Sequence, residues 1–215
     1  SQDYPTIKPT LDLNFAATKT LDPRIAYYRY GPASYVDGNG KIVFVGEDVP
    51  RFDHDPVTRE CKGLLVEGER RNILPYSFDA GKWVAGSGGT LTRDAGIAPD
   101  GTMTATKALS SSNDIDLNPK VSGTNGSSGN ITVSSSVTYT LSVWAKASTA
   151  AQVGNNFKVR MKRVSGTSFA AETTFALTGN WARYSVTGTT PANVTQLMCY
   201  VGGVSGSEAL VWGAQ

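Results

Sequence analysis

The stretch Tyr139-Thr140-Leu141-Ser142-Val143-Trp144-Ala145-Lys146 alternates apolar and polar side chains along the chain. A period of two is that of a β-strand whose two faces meet different surroundings. Trp144 and Lys146 share the polar face, where a large aromatic side chain is unexpected. The face predicted to enter the core carries Tyr139, Leu141, Val143 and Ala145.

Two further stretches alternate in the same way. Residues 157–162 interleave apolar and cationic side chains, and residues 196–201 place Tyr200 on the face opposite an apolar set. These assignments depend on strand register, because a slip of one residue exchanges the two faces. The apolar sets predicted to face inward are Phe157, Val159 and Met161, and Leu197, Cys199 and Val201. The cations predicted to face outward are Lys158, Arg160 and Lys162.

The composition extends this pattern to the whole chain. Its 215 residues include 23 Gly, 20 Ser and 23 Thr, whereas only 18% are charged. This composition is typical of many short strands joined by tight turns. Strand-like segments recur every ten to fifteen residues after residue 90, without an amphipathic helical window between them. The sequence therefore predicts an all-β fold that contains a β-sandwich.

Charge and proline divide the chain near Asn72. Residues 1–71 hold 21 charged residues and six of the ten prolines, whereas residues 72–215 hold 17 charged residues. In the first part, Asp37-Gly38-Asn39-Gly40 and Asp55-Pro56-Val57-Thr58 predict the turns of two hairpins. Strands without a domain-sized core pair with something else. We therefore predict an attachment or assembly segment over 1–71 and the β-sandwich over 72–215.

Several functional classes are excluded by composition. The net charge of +2 argues against binding driven by nucleic-acid phosphates, and no apolar run approaches the 18 residues of a membrane span. His54 is the only histidine, and it lies between Asp53 and Asp55 before a proline, where carboxylates normally cap a turn. We predict free thiols at Cys61 and Cys199, no metal site and no catalytic residue.

Carboxylates are scarce after residue 71, and a glycosidase needs two of them facing one cleft. The pair in Asp114-Ile115-Asp116 lies in a polar stretch and offers oxygen ligands suited to calcium. Solvated loop charges are the simpler explanation of this pair. We therefore expect no cofactor, and a structural calcium stays open as the alternative.

An aromatic ring among Lys, Arg, Ser and Thr on a sheet face suits a sugar. The ring covers the apolar C–H face of a pyranose, and its neighbours form hydrogen bonds around the edge. The alternative is that the ring is covered by a loop or by another chain. The predicted sugar-binding residues are Trp144, Tyr200, Lys146, Lys158 and Arg160.

Short strings occur in a fixed order along most of the chain. They are Leu11–Phe15, Leu21–Ile25, Ala33–Asp37, Pro50–Pro56, Gly63–Glu67, Arg71–Leu74, Tyr139–Ala147 and Val211–Gln215. Together they resemble phage head-spike and tail-fibre proteins, including the head spikes of gene transfer agents. The resemblance implies a virion surface protein made in the bacterial cytoplasm. Its N-terminal part would attach to the particle, and its C-terminal part would be a carbohydrate-binding jelly roll.

The resemblance also bears on ligands and chain length. Many sugar-binding jelly rolls hold a structural calcium near an acidic residue of the last strand, but here that strand ends Trp212-Gly213-Ala214-Gln215. Relatives usually continue past this glutamine, so we expect the chain to be a piece of a longer protein.

We therefore expect a non-enzymatic spike or fibre protein of a phage or gene transfer agent that binds host polysaccharide such as capsule. The expected partners are cell-surface polysaccharide, other spike or capsid proteins and further copies of the chain, with a trimer as one arrangement. Nucleic acid and membrane insertion are not expected.

Two alternatives stay open. One is a structural capsid-decorating or fibre-connecting module, favoured if Trp144 is buried between chains. The other is a capsule depolymerase, which released oligosaccharides would establish.

Overall fold

The structure is a computed structural model of the 215-residue chain. It describes residues 11, 13–68, 70–85, 89–110, 115–116, 130–163, 170–203 and 206–215. The chain divides into two compact units, Ser1–Arg70 and Arg71–Gln215. This division lies within two residues of the change in composition near Asn72.

The first unit contains one turn of helix and two hairpins among its described residues. The elements are α1 (Phe15–Thr18), β1 (Ala33–Val36), β2 (Ile42–Val45), β3 (Phe52–His54) and β4 (Cys61–Leu64). Both hairpins form where the turn signals predict them, and the β3–β4 pair contains a register shift between Asp53 and His54.

The first hairpin turn depends on a glycine. Gly40 donates its N–H to the carbonyl of Asp37 at 2.8 Å and has a φ of +72°. A Cβ at Gly40 would clash with the guanidinium of Arg59 and lie 2.7 Å from the carbonyl oxygen of Pro56. Only glycine adopts this conformation without strain and leaves this space free.

Polar side chains, and few apolar ones, join the two hairpins of the first unit. Asp53 accepts from the Val36 N–H at 2.8 Å, and His54 Nδ1 lies 3.2 Å from the Val36 carbonyl oxygen. Arg51, which is buried, donates to the Ser34 carbonyl at 2.9 Å. Side chains of β3 and of the residue before it thereby satisfy backbone groups of β1 that β2 does not use. His54 thus has a structural contact in the fold.

The second unit is a β-sandwich of antiparallel strands. Its described strands are β5 (Val84–Ala85), β6 (Thr90–Gly96), β7 (Ala105–Leu109), β8 (Ile115–Asp116), β9 (Ile131–Thr132), β10 (Thr138–Ala147), β11 (Asn156–Arg163), β12 (Ala170–Ala176), β13 (Ala182–Thr189), β14 (Gln196–Gly203) and β15 (Glu208–Trp212). One sheet has five strands in the order β13-β10-β15-β7-β6, and the other has six, in the order β12-β11-β14-β8-β5 with β9 also paired to β14. Two 3₁₀ turns lie at Ala80–Lys82 and Ala150–Gln152. The predicted all-β, jelly-roll architecture is confirmed.

The core lies between the two sheets, and the predicted inward sets are confirmed. The apolar side chains of residues 157–161 and 197–201 are buried in one cluster with Leu141, Val143 and Ala145 of β10, and Tyr139 packs against its edge. The short strands β5 and β8 were not predicted, because two residues are too few to show alternation. Ile115 of β8 is nevertheless completely buried in the same cluster.

A bulge interrupts β6. The strand continues to Gly96 through a shift of register between Thr92 and Gly96. Asp94 takes a positive φ of 51° inside this bulge. A Cβ at Gly96 would lie 2.7 Å from Leu210 Cδ1, so the bulge ends where a side chain of β15 reaches across β7 to the backbone of β6.

Three further predictions concern the described residues. Cys61 and Cys199 form no disulfide bond with each other, as predicted. The described residues contain no group of three or more His, Cys, Asp or Glu side chains suited to a metal, and Asp114 lies outside the described residues. Among the same residues, none of the helices has the length and apolar character needed to cross a bilayer.

Candidate functional site

The outer surface of the five-stranded sheet carries three tryptophans, and we call it the tryptophan face. Trp144 lies on β10, Trp212 pairs with it directly on β15, and Trp181 immediately precedes β13. Lys146 and Arg183 complete this face, and Arg183 is the register partner of Trp144 on β13.

Trp144 is covered by its own chain. The Arg183 guanidinium carbon lies 5.7 Å from the centre of the Trp144 ring, and only 9% of the tryptophan is exposed. Arg183 is held in place because it donates to Ser142 Oγ at 2.7 Å and to Gln215 Oε1 at 2.8 Å. Desolvation by the surrounding protein atoms lowers the pKa of Arg183 to about 10. The guanidinium therefore stays charged at neutral pH, and the side chain keeps contact with solvent.

The other two tryptophans of this face are tied to neighbouring loops. Trp212 is buried, its ring centre lies 4.8 Å from that of Phe78, and its Nε1 donates to Thr104 Oγ1 at 3.1 Å. Trp181 is half-buried and donates its Nε1–H to the Ile97 carbonyl at 3.1 Å. Segments from before β6 and from between β6 and β7 therefore reach the tryptophan face.

This arrangement corrects the prediction for Trp144. The side chain points away from the core as predicted, but it is packed under Arg183 and cannot offer an open ring to a sugar. Lys146 is half-buried, and its Nζ lies 5.3 Å from the centre of the Trp181 ring. Trp181 is thus the least covered tryptophan of the face, and the sequence pattern did not single it out because it lies outside a regular strand.

The outer surface of the six-stranded sheet carries a row of cations, and we call it the basic face. The row runs along β11, and β14 and β12 contribute the residues on either side of it. Register places Tyr200 and Glu172 opposite Arg160 on these two neighbouring strands. The basic face comprises Lys158, Arg160, Lys162, Glu172, Thr174, Met198 and Tyr200.

Tyr200 is the aromatic side chain of the basic face. It is half-buried, and its hydroxyl donates to Met198 Sδ at 3.0 Å. The Lys162 ammonium lies over the ring, 4.8 Å from its centre. One side of the tyrosine ring is therefore occupied by a flexible cation, and a long lysine side chain can move away when a ligand approaches.

The cations of the row differ in their pairing. Arg160 Nε lies 3.3 Å from Glu172 Oε2, so this positive charge has a carboxylate beside it. Lys158 and Lys162 form no ion pair with any residue that the structure describes. Both lysines are half-buried by the neighbouring strands, which keeps their stems against the sheet.

The five residues predicted to bind sugar do not form one site. Trp144 and Lys146 lie on the tryptophan face, whereas Tyr200, Lys158 and Arg160 lie on the basic face of the other sheet. Alternation within single strands assigned every one of them correctly to an outer face. It could not show that the strands belong to different sheets, so the single combined surface is wrong. The sequence pattern also omitted Met198, which lies two residues before Tyr200 on the same face of β14, and Glu172, which register brings beside Arg160.

Most of the two-sheet unit matches a known protein family. The sequence profile of a family described as "Carbohydrate binding domain" matches residues 77–205. No curated protein matched the chain.

Among solved structures, the CBM22-1 and GH10 modules of Clostridium thermocellum endo-1,4-beta-D-xylanase 10B, complexed with xylohexaose, align at 16% identity and a TM-score of 0.43, over 65% of this chain and 26% of that chain. The CBM22-1 xylan-binding domain of Paenibacillus barcinonensis Xyn10C aligns at 14% identity and a TM-score of 0.47, over 62% of this chain and 83% of that chain. The enzymatically active domain of bacteriophage CBA120 tailspike protein 4 aligns at 9% identity and a TM-score of 0.43, over 66% of this chain and 21% of that chain.

The profile match covers more than half of the chain and most of the two-sheet unit that carries both outer faces. Domains of this kind are typically non-catalytic. The chain therefore belongs to the carbohydrate binding domain family.

Proposed function

We propose that this chain binds polysaccharide through the basic face, without cleaving it, and serves as the host-attachment component of a phage or gene-transfer-agent spike or fibre. The choice of face rests on how far the rings of the two aromatic residues predicted to bind sugar are covered. Trp144 is packed under Arg183, whereas Tyr200 is half-buried and covered on one side by a lysine that can move.

The chemistry of the basic face suits a sugar. The Tyr200 ring can pack against the C–H face of a pyranose. Arg160 and Lys158 supply donors along β11, and Glu172 and Thr174 supply acceptors on β12 for sugar hydroxyls. Donors and acceptors on both sides of an aromatic ring allow hydrogen bonds around the edge of a sugar that stacks on it.

The particle role is supported by the resemblance of the ordered sequence strings to spike and fibre proteins, and by the character of the first unit. Ile42 is the only large apolar side chain that is buried among the described residues of that unit. Tyr28 and Tyr30 are 84% and 100% exposed, and Phe44 is also exposed. A unit with this little core and these exposed aromatic rings is suited to being covered by another protein. Attachment of many copies to one particle would raise weak single-site affinity by avidity.

A purely structural role has less support. It would be favoured by a Trp144 side chain that needs a neighbouring molecule to cover it. Arg183 covers the ring within the same chain, and a Cβ added at Gly213 would lie 3.6 Å from Trp144 Cδ1. The burial of Trp144 thus needs no second chain.

The first experiment presents the intact chain to an array of bacterial capsular and O-chain polysaccharides. We expect binding to at least one polymer, a loss of about tenfold in affinity for Tyr200→Ala, and little change for the matched variant Trp181→Ala on the other sheet. If Trp181→Ala abolished binding and Tyr200→Ala did not, the site would lie on the tryptophan face. Release of oligosaccharides from a bound polymer would refute binding without cleavage.

A second experiment tests the particle role. Antibodies against the intact chain should label the surface of particles released by the producing strain, as seen by immunogold electron microscopy. Unlabelled particles from a culture whose cells contain the protein would overturn the attachment role and leave carbohydrate binding standing.

A further inference from the structure

We propose that Lys162 makes the basic face selective for acidic polysaccharides by leaving the Tyr200 ring to pair with a sugar carboxylate. The inference rests on the proposed binding of polysaccharide at this face. It adds the chemical class of the ligand and the residue that decides it.

The geometry supplies two positions for one lysine. Lys162 and Tyr200 lie on the neighbouring strands β11 and β14, two residues out of direct register, since Tyr200 pairs with Arg160 and Lys162 pairs with Met198. In the free protein the Lys162 ammonium lies 4.8 Å from the ring centre. A sugar that stacks on the same side of the ring must displace it.

Displacement has a different cost for neutral and for acidic sugars. A neutral sugar removes the cation–π contact and leaves the ammonium with solvent alone as its partner. This costs about two- to fivefold in affinity for a contact of ordinary strength at a protein surface. An acidic sugar offers the displaced ammonium a carboxylate, which replaces the lost contact with an ion pair.

Charges along the row favour the same class of ligand. Arg160 is paired with Glu172, but Lys158 has no ion pair among the described residues. Lys158 and Lys162 are four residues apart on one strand, which places their backbones about 13 Å from each other. Among the side chains that the structure describes at this face, Glu172 opposite Arg160 is the acidic one, so three cations stand against one carboxylate. A polymer with repeated carboxylates could therefore meet both lysines.

The test uses polygalacturonate, alginate and hyaluronan, each compared with the same polymer after chemical reduction of its carboxyl groups, together with xylan as a neutral polymer. Affinity electrophoresis or calorimetry of the intact chain measures binding. We expect at least one acidic polymer to bind more tightly than its reduced form. Raising the salt concentration should weaken binding of the acidic form and leave the reduced form nearly unchanged.

The variant Lys162→Met tests whether this lysine causes the preference for an acidic polymer over its reduced form. We expect affinity for the acidic polymer to fall about threefold and affinity for the reduced polymer to rise about threefold, so that their ratio changes about tenfold. Lys82→Met is the matched control, because Lys82 makes the same kind of contact, 5.7 Å from the centre of the Tyr76 ring, and neither residue belongs to the basic face as defined above. It should change neither affinity.

Each other outcome counts against the inference in a distinct way. Equal binding of acidic and reduced polymers, or binding of xylan alone, would refute acidic selectivity while the site tested by Tyr200→Ala stands. Equal loss of both ligands in Lys162→Met would make this lysine an ordinary contact. Absence of binding by any polymer would count against the proposed function and would overturn the inference with it.

Discussion

Arg183 lies over the ring of Trp144 on the neighbouring strand, with its guanidinium carbon 5.7 Å from the ring centre. The arginine is fixed there by hydrogen bonds to Ser142 and to Gln215. Gln215 itself exchanges two backbone hydrogen bonds of 2.8 Å with Ser142. The segment after β15 and the edge strand β13 thus cover Trp144, which gives this tryptophan a role in stability and removes it from the candidate binding site.

Trp144→Ala should therefore destabilise the fold. We expect the free energy of unfolding to fall by about 3 kcal/mol, because a buried tryptophan leaves a large cavity. Chemical denaturation of the intact chain, followed by circular dichroism, measures this loss. Ser185→Ala, on the exposed side of the same strand pair, is the control and should stay within about 0.5 kcal/mol of the parent. A Trp144→Ala protein of parental stability would contradict the packing described here.

The contact between Arg183 and Gln215 should be visible as a coupling energy. Arg183→Ala and Gln215→Ala are each expected to destabilise the sandwich, and the double variant should lose less than the sum of the two by about 0.5 to 1 kcal/mol. Denaturation of the three variants and the parent completes the cycle. Strict additivity would show that the hydrogen bond between these side chains contributes nothing in solution.

Gly40 should not tolerate a side chain. Gly40→Ala would set a Cβ against Arg59 and the Pro56 carbonyl oxygen at a φ of +72°, so we expect the β1–β2 hairpin to lose at least about 1 kcal/mol of stability. All four tryptophans lie outside the first unit, so hydrogen–deuterium exchange of residues 33–45 is the suitable measurement. Gly46→Ala is the matched control, because a Cβ there meets nothing within 4 Å. Equal exchange in the two variants would contradict the turn geometry.

Asp55 should titrate well below an ordinary aspartate. Backbone N–H groups of Thr58 and Val57, and then Lys62, lower its pKa from 3.8 to about 2. Because the folded value is depressed, the ionised carboxylate stabilises the turn above pH 3.8, and this contribution is lost as the pH falls through about 2. An NMR titration of the Asp55 carboxyl carbon should show its midpoint near 2. A midpoint near 3.8 would mean that these hydrogen bonds do not persist in solution.

Local pattern was sufficient for much of the fold. The alternation over 139–146 predicts β10 and its buried face, and the strand bounds Thr138–Ala147 agree with it. The turn at Asp37–Gly40 predicts the β1–β2 hairpin, because glycine and aspartate determine the backbone there over only four residues. By contrast, β5 and β8 were missed, since their pairing comes from the sheet and not from their own two residues.

In the candidate site, too, local pattern predicted some features, and others depend on strand pairing. Alternation places Trp144 and Tyr200 on outer faces, because side-chain direction in a strand repeats every two residues and is a local property. The sheet that each strand joins depends on pairing between segments far apart in the chain. Local pattern does not predict this pairing. Alternation also cannot show that Arg183 covers Trp144 while Lys162 lies on Tyr200.

The sequence by itself determined an all-β chain, a change of character near residue 72, the apolar sets of its core and a row of cations facing outward on one strand. Only the tertiary structure decided that Trp144 and Tyr200 lie on different sheets and that one aromatic ring is closed while the other has a movable cover. The physical reason is that burial of an outward-facing side chain depends on whatever segment packs over it. For Trp144 these segments are an edge strand and the chain end near Gln215, both distant from it in sequence.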